Sequence, residues 1–161
     1  MRAKLFLITL AVLVLSFIHP AEAQQPKTMP RIGYLHFRSA PNANDEAFVQ
    51  GLRDLGWIEG KNIRIEYRWA AGKRSRYPVL AEELVRLKVD IIVTVIRAPT
   101  QAAKNATSTI PIVMVAVPDA VEHGLVASLA QPGGNVTGMS HQWPEINAKL
   151  LELLHETLPK V

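Results

Sequence analysis

The sequence predicts an α/β fold: a doubly wound, parallel five-stranded sheet in the order 2-1-3-4-5, preceded by a signal-peptide helix. Three observations carry this expectation. From Arg31 onward, short β-rich runs alternate with helical segments. Two of the runs, Asp90–Val95 (DIIVTV) and Pro111–Val117 (PIVMVAV), are continuously apolar, as central strands covered on both faces are. A third, Ile63–Trp69, alternates apolar with charged residues, which marks a strand near the sheet edge.

The first 23 residues have the three parts of an export signal. Arg2 and Lys4 are positive, Leu5 through Ile18 is an apolar run, and His19-Pro20 leads into the small-residue pattern Ala21-Glu22-Ala23. The run is shorter than the roughly 20 residues that span a bilayer, so cleavage after Ala23 is expected rather than anchoring. The proline-rich, polar segment 24–30 reads as a flexible mature N-terminus. With no cysteine there is no site for lipid attachment, and disulfides, thiolate zinc sites, iron–sulfur clusters and cysteine nucleophiles are excluded. The product is expected to be exported and soluble.

Arg31–Phe37 is the first strand. Asn42 or Asn44 caps a helix that runs to about Leu55, with Phe48, Leu52 and Leu55 on one face and Gly56 as its stop. A turn at Glu59–Asn62 leads into the second strand, Ile63–Trp69. The second helix covers Tyr77–Leu87 and buries Leu80, Leu84 and Leu87. After the third strand, Pro99 suits the first turn of a helix that reaches Ala106. After the fourth, Asp119 is placed to cap a helix over Ala120–Leu129. Asn135–Met139 is the fifth strand, and Pro144–Leu158 a last amphipathic helix with Ile146, Leu150, Leu153 and Leu154 inward.

In an open α/β sheet, ligands bind beyond the carboxyl ends of the strands, near the switch point. That rule nominates Arg38–Asn44, Arg97–Thr100, Pro118–Val121 and Ser140–Trp143. Ser39, Asn42 and Asn44 offer neutral donors and acceptors. Arg97, with Thr100 at a helix N-terminus, suits a carboxylate. Asp119 suits an ammonium, and Trp143 offers an apolar wall. Each has a plainer role as well: Asn44 and Asp119 as helix caps, Arg97 as a solvated surface residue.

Nothing points to catalysis, a metal or a cofactor. No G-x-S-x-G elbow, P-loop, G-x-G-x-x-G or H-E-x-x-H occurs, and His36, His123, His141 and His155 are widely separated. The formal charge is only +4, and the densest basic cluster, Lys73, Arg74 and Arg76, reads as a solvated loop, so no nucleic-acid partner is expected.

Several blocks resemble one family. They are Leu55-Gly56-Trp57-Ile58-Glu59-Gly60-Lys61-Asn62 followed by Ile65-Glu66-Tyr67-Arg68-Trp69-Ala70, then Leu80–Val85, Ala106–Val113, Gly124–Ala130 and Gln131–Gly138. Together they are similar to the ABC-transporter substrate-binding proteins of the tryptophan/tyrosine type across nearly all of 31–158. The resemblance implies two α/β lobes around a cleft, a small-molecule ligand such as an amino acid, a periplasmic location, no enzymatic activity, and docking to an inner-membrane ABC permease. It departs from the family at two ligand-facing loops: Arg97-Ala98-Pro99-Thr100, where relatives carry small Ser/Thr/Gly residues, and Pro118-Asp119-Ala120, where they carry Gly-Asp-Pro or similar. Relatives continue past a stretch like Leu158–Val161 into a second lobe, so residues 31–161 are expected to represent the N-terminal lobe alone. Such a lobe would pair with a separate second lobe or be a truncated fragment without function. A periplasmic sensor subunit that presents ligand to a receptor is the alternative role.

Overall fold

The computed structural model describes residues 29–141 and 143–158. The predicted export signal and its cleavage site lie outside the described residues. Five parallel strands form one sheet in the order β2-β1-β3-β4-β5, as the alternation of elements predicted. The strands are β1 (Arg31–His36), β2 (Arg64–Trp69), β3 (Ile91–Val95), β4 (Ile112–Pro118) and β5 (Val136–His141). The helices are α1 (Ala43–Asp54), α2 (Tyr77–Arg86), α3 (Arg97–Ala106) and α4 (Trp143–Thr157), and a short 3-10 turn at Arg74–Arg76 precedes α2. Register runs Ile32↔Ile65 between β1 and β2, Ile32↔Ile91 between β1 and β3, and Ile92↔Ile112 between β3 and β4.

Strand alternation sorts the apolar side chains onto two faces. On one face Leu35, Ile92, Ile112, Met114, Val117 and Val136 meet Leu80, Ala81 and Leu84 of α2 and Ala103 of α3. On the other, Ile32, Tyr34, Ile63, Ile65 and Val93 are covered by Phe48, Val49 and Leu52 of α1. That second face is finished only over β2, β1 and β3. Val113 and Val115 of β4 are half-buried, and Met139 of β5 is 72% exposed.

Two expectations are corrected. The helix predicted over Ala120–Leu129 does not form; the β4–β5 crossover makes a single turn instead. His123 N–H donates to the Asp119 carbonyl (3.0 Å), and the chain then closes through Leu125 N–H to the Ala120 carbonyl (2.9 Å). Gly124 takes a φ of +64°, a left-handed conformation open to glycine at little cost. The freed carbonyls of Gly124 and Leu125 accept from Lys104 Nζ at 2.6 and 3.1 Å. Helix ends need such partners, and here a lysine on α3 supplies them. The turn buries Leu125 and Val126 in place of a helical stripe. The second correction concerns α4. Its Ile146, Leu150, Leu153 and Leu154, predicted to face inward, are all exposed, because no described element covers them.

One irregularity shapes the edge of the sheet. The β4–β5 register shifts between Met114 and Val117, where Ala116 has a φ of +53°. Opposite the shift, Gly138 has a φ of +133°, and a Cβ there would lie 2.1 Å from the Met114 carbonyl oxygen. Only glycine permits that approach of the two backbones.

Candidate functional site

The carboxyl ends of all five strands lie along one edge, and the nominated loops leave the sheet there. Backbone strain concentrates at the same edge. Of the five non-glycine residues with positive φ among the described residues, Ala71, Ile96 and Asp119 lie just past strand C-termini, Ala116 lies within β4 at its register shift, and Lys88 lies at the opposite edge. Ile96 is the extreme case, a β-branched residue at φ +67°, ψ 169°. Such conformations cost about 1–3 kcal/mol each and persist where the surroundings over-determine them.

At the end of β1, a buried polar network fixes the first loop. Asn42 is the N-cap of α1: its side chain accepts from the backbone N–H groups of Asn44 and Asp45, and the Asp45 side chain answers by accepting from Asn42 N–H (2.8 Å). Asp45 is only 3% exposed, and its other oxygen accepts from the Tyr34 hydroxyl at 2.6 Å. His36 Nε2 lies 3.7 Å from that same oxygen, while His36 Nδ1 accepts from Arg38 N–H at 3.1 Å. The ring nitrogens thus have distinct jobs, with Nδ1 unprotonated. Burial holds the His36 imidazole below its ordinary value near 6.5; the Asp45 carboxylate opposes this, and Arg38 adds to it. Burial, then the hydrogen bond and charge of Asp45, push the Tyr34 hydroxyl far above its usual range.

Aromatic rings enclose this network. Tyr34 stacks on Phe48 (5.2 Å between centroids), His36 on Phe37 (4.6 Å), and Tyr67 on Trp69 (5.8 Å, 6° between planes). Burial, reinforced by Glu59, pushes the Tyr67 hydroxyl up to about 12. Past the strand ends, Ala70, Ala71 and Gly72 N–H groups donate to the carbonyls of His36, Arg38 and Phe37, which binds the β1 and β2 loops together.

The third and fourth loops are also pinned. Thr100 is fully buried in the first turn of α3, and its hydroxyl donates to the Ile96 carbonyl (2.7 Å) and meets the Thr94 hydroxyl (2.8 Å). Asp119 N–H donates to the His141 carbonyl (2.9 Å), and Ala120 N–H to Ser140 Oγ (3.2 Å). The sheet therefore continues as hydrogen bonds between its own loops.

Among the sequence-nominated residues, Ser39 and Asn44 are exposed, and Asp119 is half-buried. The side chains of Asn42 and Thr100 are committed to the cap and to the strand–helix junction. Arg97 is exposed at the start of α3, with Nη1 3.0 and 3.2 Å from the two ring nitrogens of His123. Trp143 is the first residue of α4. Asp119 is not a helix cap; it opens the crossover turn. Tyr34, His36, Asp45 and His123 were not nominated. The signal for the first two was present in Arg31–Phe37, where alternation sets Tyr34 and His36 on one face, and an acid three residues after Asn42 is a capping-box pattern.

Comparison with known proteins places this architecture. The sequence model of the family described as ABC transporter substrate binding protein matches residues 39–161. A tyrosine-binding protein of Clostridioides difficile is 42% identical over 115 residues, which are 71% of this chain and 33% of that protein. A conserved domain protein from Vibrio cholerae O1 biovar El Tor superposes with a TM-score of 0.73 at 35% identity, over 83% of this chain and 45% of the other. A Streptococcus pneumoniae ABC domain in complex with L-Trp gives 0.61 at 28% identity, over 70% and 39%. A ligand-free, open substrate binding protein with adhesive properties from Clostridium difficile gives 0.69 at 33%, over 77% and 43%. The chain spans about a third of that curated relative and less than half of each of these solved structures. With its family model matched over most of its length and its five-stranded order observed, the chain belongs to the ABC transporter substrate-binding protein family.

Proposed function

We propose that this chain is the N-terminal lobe of a periplasmic solute-binding component of an ABC importer, non-enzymatic and exported by a signal cleaved after Ala23. Its ligand is a small molecule of the amino-acid class, with an aromatic amino acid the leading candidate, because relatives are described as tyrosine-binding and as a complex with L-Trp. The observation that carries the reading is the pinning of loops along a single strand-end edge, with strained backbone at Ala71, Ile96 and Asp119. Loops fixed by a scaffold in this way suit ligand contact.

In this reading the ligand set is Ser39, Asn42, Asn44, Arg97, Thr100, Asp119 and Trp143. Ser39 and Asn44 supply neutral donors and acceptors, Arg97 charge for a carboxylate, Asp119 charge for an ammonium, and Trp143 an apolar wall. Asn42 and Thr100 act by holding the loops, since their side chains are already engaged. A permease in the inner membrane is the transport partner, and a second lobe, in the same or a separate chain, supplies the facing half of the cleft. Tight capture in two-lobed proteins depends on closure around the ligand, so one lobe alone binds weakly or not at all.

Two-dimensional NMR of the purified protein with L-tyrosine and L-tryptophan tests this. Small, unsaturated shifts confined to 38–44, 97–100, 118–121 and 140–143 are expected at millimolar ligand. Micromolar binding by the lobe alone, or shifts confined to other surfaces, would overturn it. Cell fractionation with N-terminal sequencing checks the location, with Gln24 expected as the first residue of a periplasmic product.

A further inference from the structure

A second polar surface adjoins the strand-end edge, between the start of α2 and α3. It is a groove of about 430 Å³ lined by Arg74, Tyr77, Pro78, Arg97, Ala98, Gln101, Ala102, Asn105 and His123. The lining holds two guanidinium groups, an imidazole and two amides, and no carboxylate among the described residues.

Where other arginines of the described residues form ion pairs, they do so with nearby acids: Arg64 with Glu66, and Arg68 with Glu66 and Glu83. Neither Arg74 nor Arg97 is in an ion pair among the described residues. Arg97 instead leans on the ring of His123, a contact between a cation and a group that carries no negative charge. The imidazole can accept from the guanidinium only through an unprotonated nitrogen, and it offers no compensating charge. Gln101 Nε2 donates to Asn105 Oδ1 (2.9 Å) along the same lining. The floor of Tyr77, Pro78, Ala98 and Ala102 is largely apolar, which strengthens charge-assisted hydrogen bonds at its surface.

We infer that this groove, which adjoins the strand-end edge, is an oxyanion-binding site that takes a small phosphate-like anion between Arg74, Arg97 and His123. Planar guanidinium groups suit the paired oxygens of phosphate or carboxylate, and two of them with amide and imidazole donors give several charge-assisted contacts to one anion. The site shares Arg97 with the proposed amino-acid ligand set but not Arg74 or His123. The two readings therefore fail separately.

The test is NMR titration of the purified protein with potassium phosphate, following the His123 side chain, against potassium chloride at equal ionic strength. Saturable shifts with phosphate and none with chloride are expected. Arg74→Ala and Arg97→Ala should each weaken phosphate binding by about tenfold or more, as expected for losing a charge-assisted pair. Arg64→Ala, at the far side of the sheet, should leave it unchanged. Arg74→Ala should also leave the L-tyrosine and L-tryptophan shifts intact. The inference is overturned if His123 responds equally to both salts, if it does not saturate with phosphate, or if neither arginine variant weakens binding.

Discussion

Removing the Asp45 carboxylate is the sharpest perturbation available in this fold. The side chain is buried and accepts from two donors, the Tyr34 hydroxyl at 2.6 Å and the Asn42 N–H at 2.8 Å. Hydrogen bonds to an ionised acceptor are worth about 1.5–3 kcal/mol each, and losing one leaves a buried donor unpaired. Asp45→Ala breaks both, but it also removes a charge whose burial was itself unfavourable, so the lower end applies and the expected loss is about 3 kcal/mol. Tyr34→Phe breaks one of the two, for about 1.5 kcal/mol. If the hydroxyl acts through Asp45, the double variant should lose little more than Asp45→Ala alone, giving a coupling energy of about 1.5 kcal/mol. Urea unfolding measures this, and Trp69 reports on it directly, since its ring is 6.0 Å from Tyr34 and 5.5 Å from His36. At a slope of about 1.5 kcal/mol per molar urea, the Asp45→Ala midpoint should fall by roughly 2 M. Additive losses would refute the coupling, and a loss under about 1 kcal/mol for Asp45→Ala would refute the role of the network itself.

Two further predictions follow from features of β1 and β5. The folded chain holds His36 below its ordinary value, so the unfolded chain takes up that proton first. Stability present above about pH 6.5 should therefore decline as pH falls toward the lower folded-state value, and His36→Gln should flatten that part of the pH profile in thermal melts. Gly138→Ala should cost at least about 2 kcal/mol, since the new Cβ meets the Met114 backbone and the φ is positive, whereas Gly134→Ala, with nothing within 4 Å, should shift stability by less than about 0.5 kcal/mol.

The sheet was legible because its signals are local. Apolar runs at Ile91–Val95 and Ile112–Pro118 and the alternation of Arg64–Trp69 each report burial directly, and burial fixes strand position. The first helix cap was narrowed to Asn42 or Asn44, and the structure selects Asn42. The crossover after β4 was not: what ends its turn at Gly124 is an ammonium from Lys104, 20 residues earlier, and that contact exists only in three dimensions. The apolar stripe of α4 was read with the correct period and the wrong destination, since periodicity states that a face is apolar but not what will cover it. At the candidate site, residue types were readable and directions were not. Arg97 was nominated for the strand-end edge, and the structure sets its guanidinium against His123; the sequence holds no signal for that rotamer.

The strand order has a bearing on how the chain acquires its structure. β1 is paired on both sides, with Arg64–Trp69 and with Ile91–Val95, so its hydrogen bonds are complete only once the chain has reached residue 95. Every pairing joins segments far apart in sequence, and parallel sheets of this kind close slowly because the intervening chain must be ordered first. β4 and β5 extend the sheet on the β3 side. Amide hydrogen exchange should follow this pairing, with Ile32–Leu35 and Ile92–Thr94 the last to exchange, and Thr137–Ser140, at the edge under an unfinished face, among the first strand amides to open.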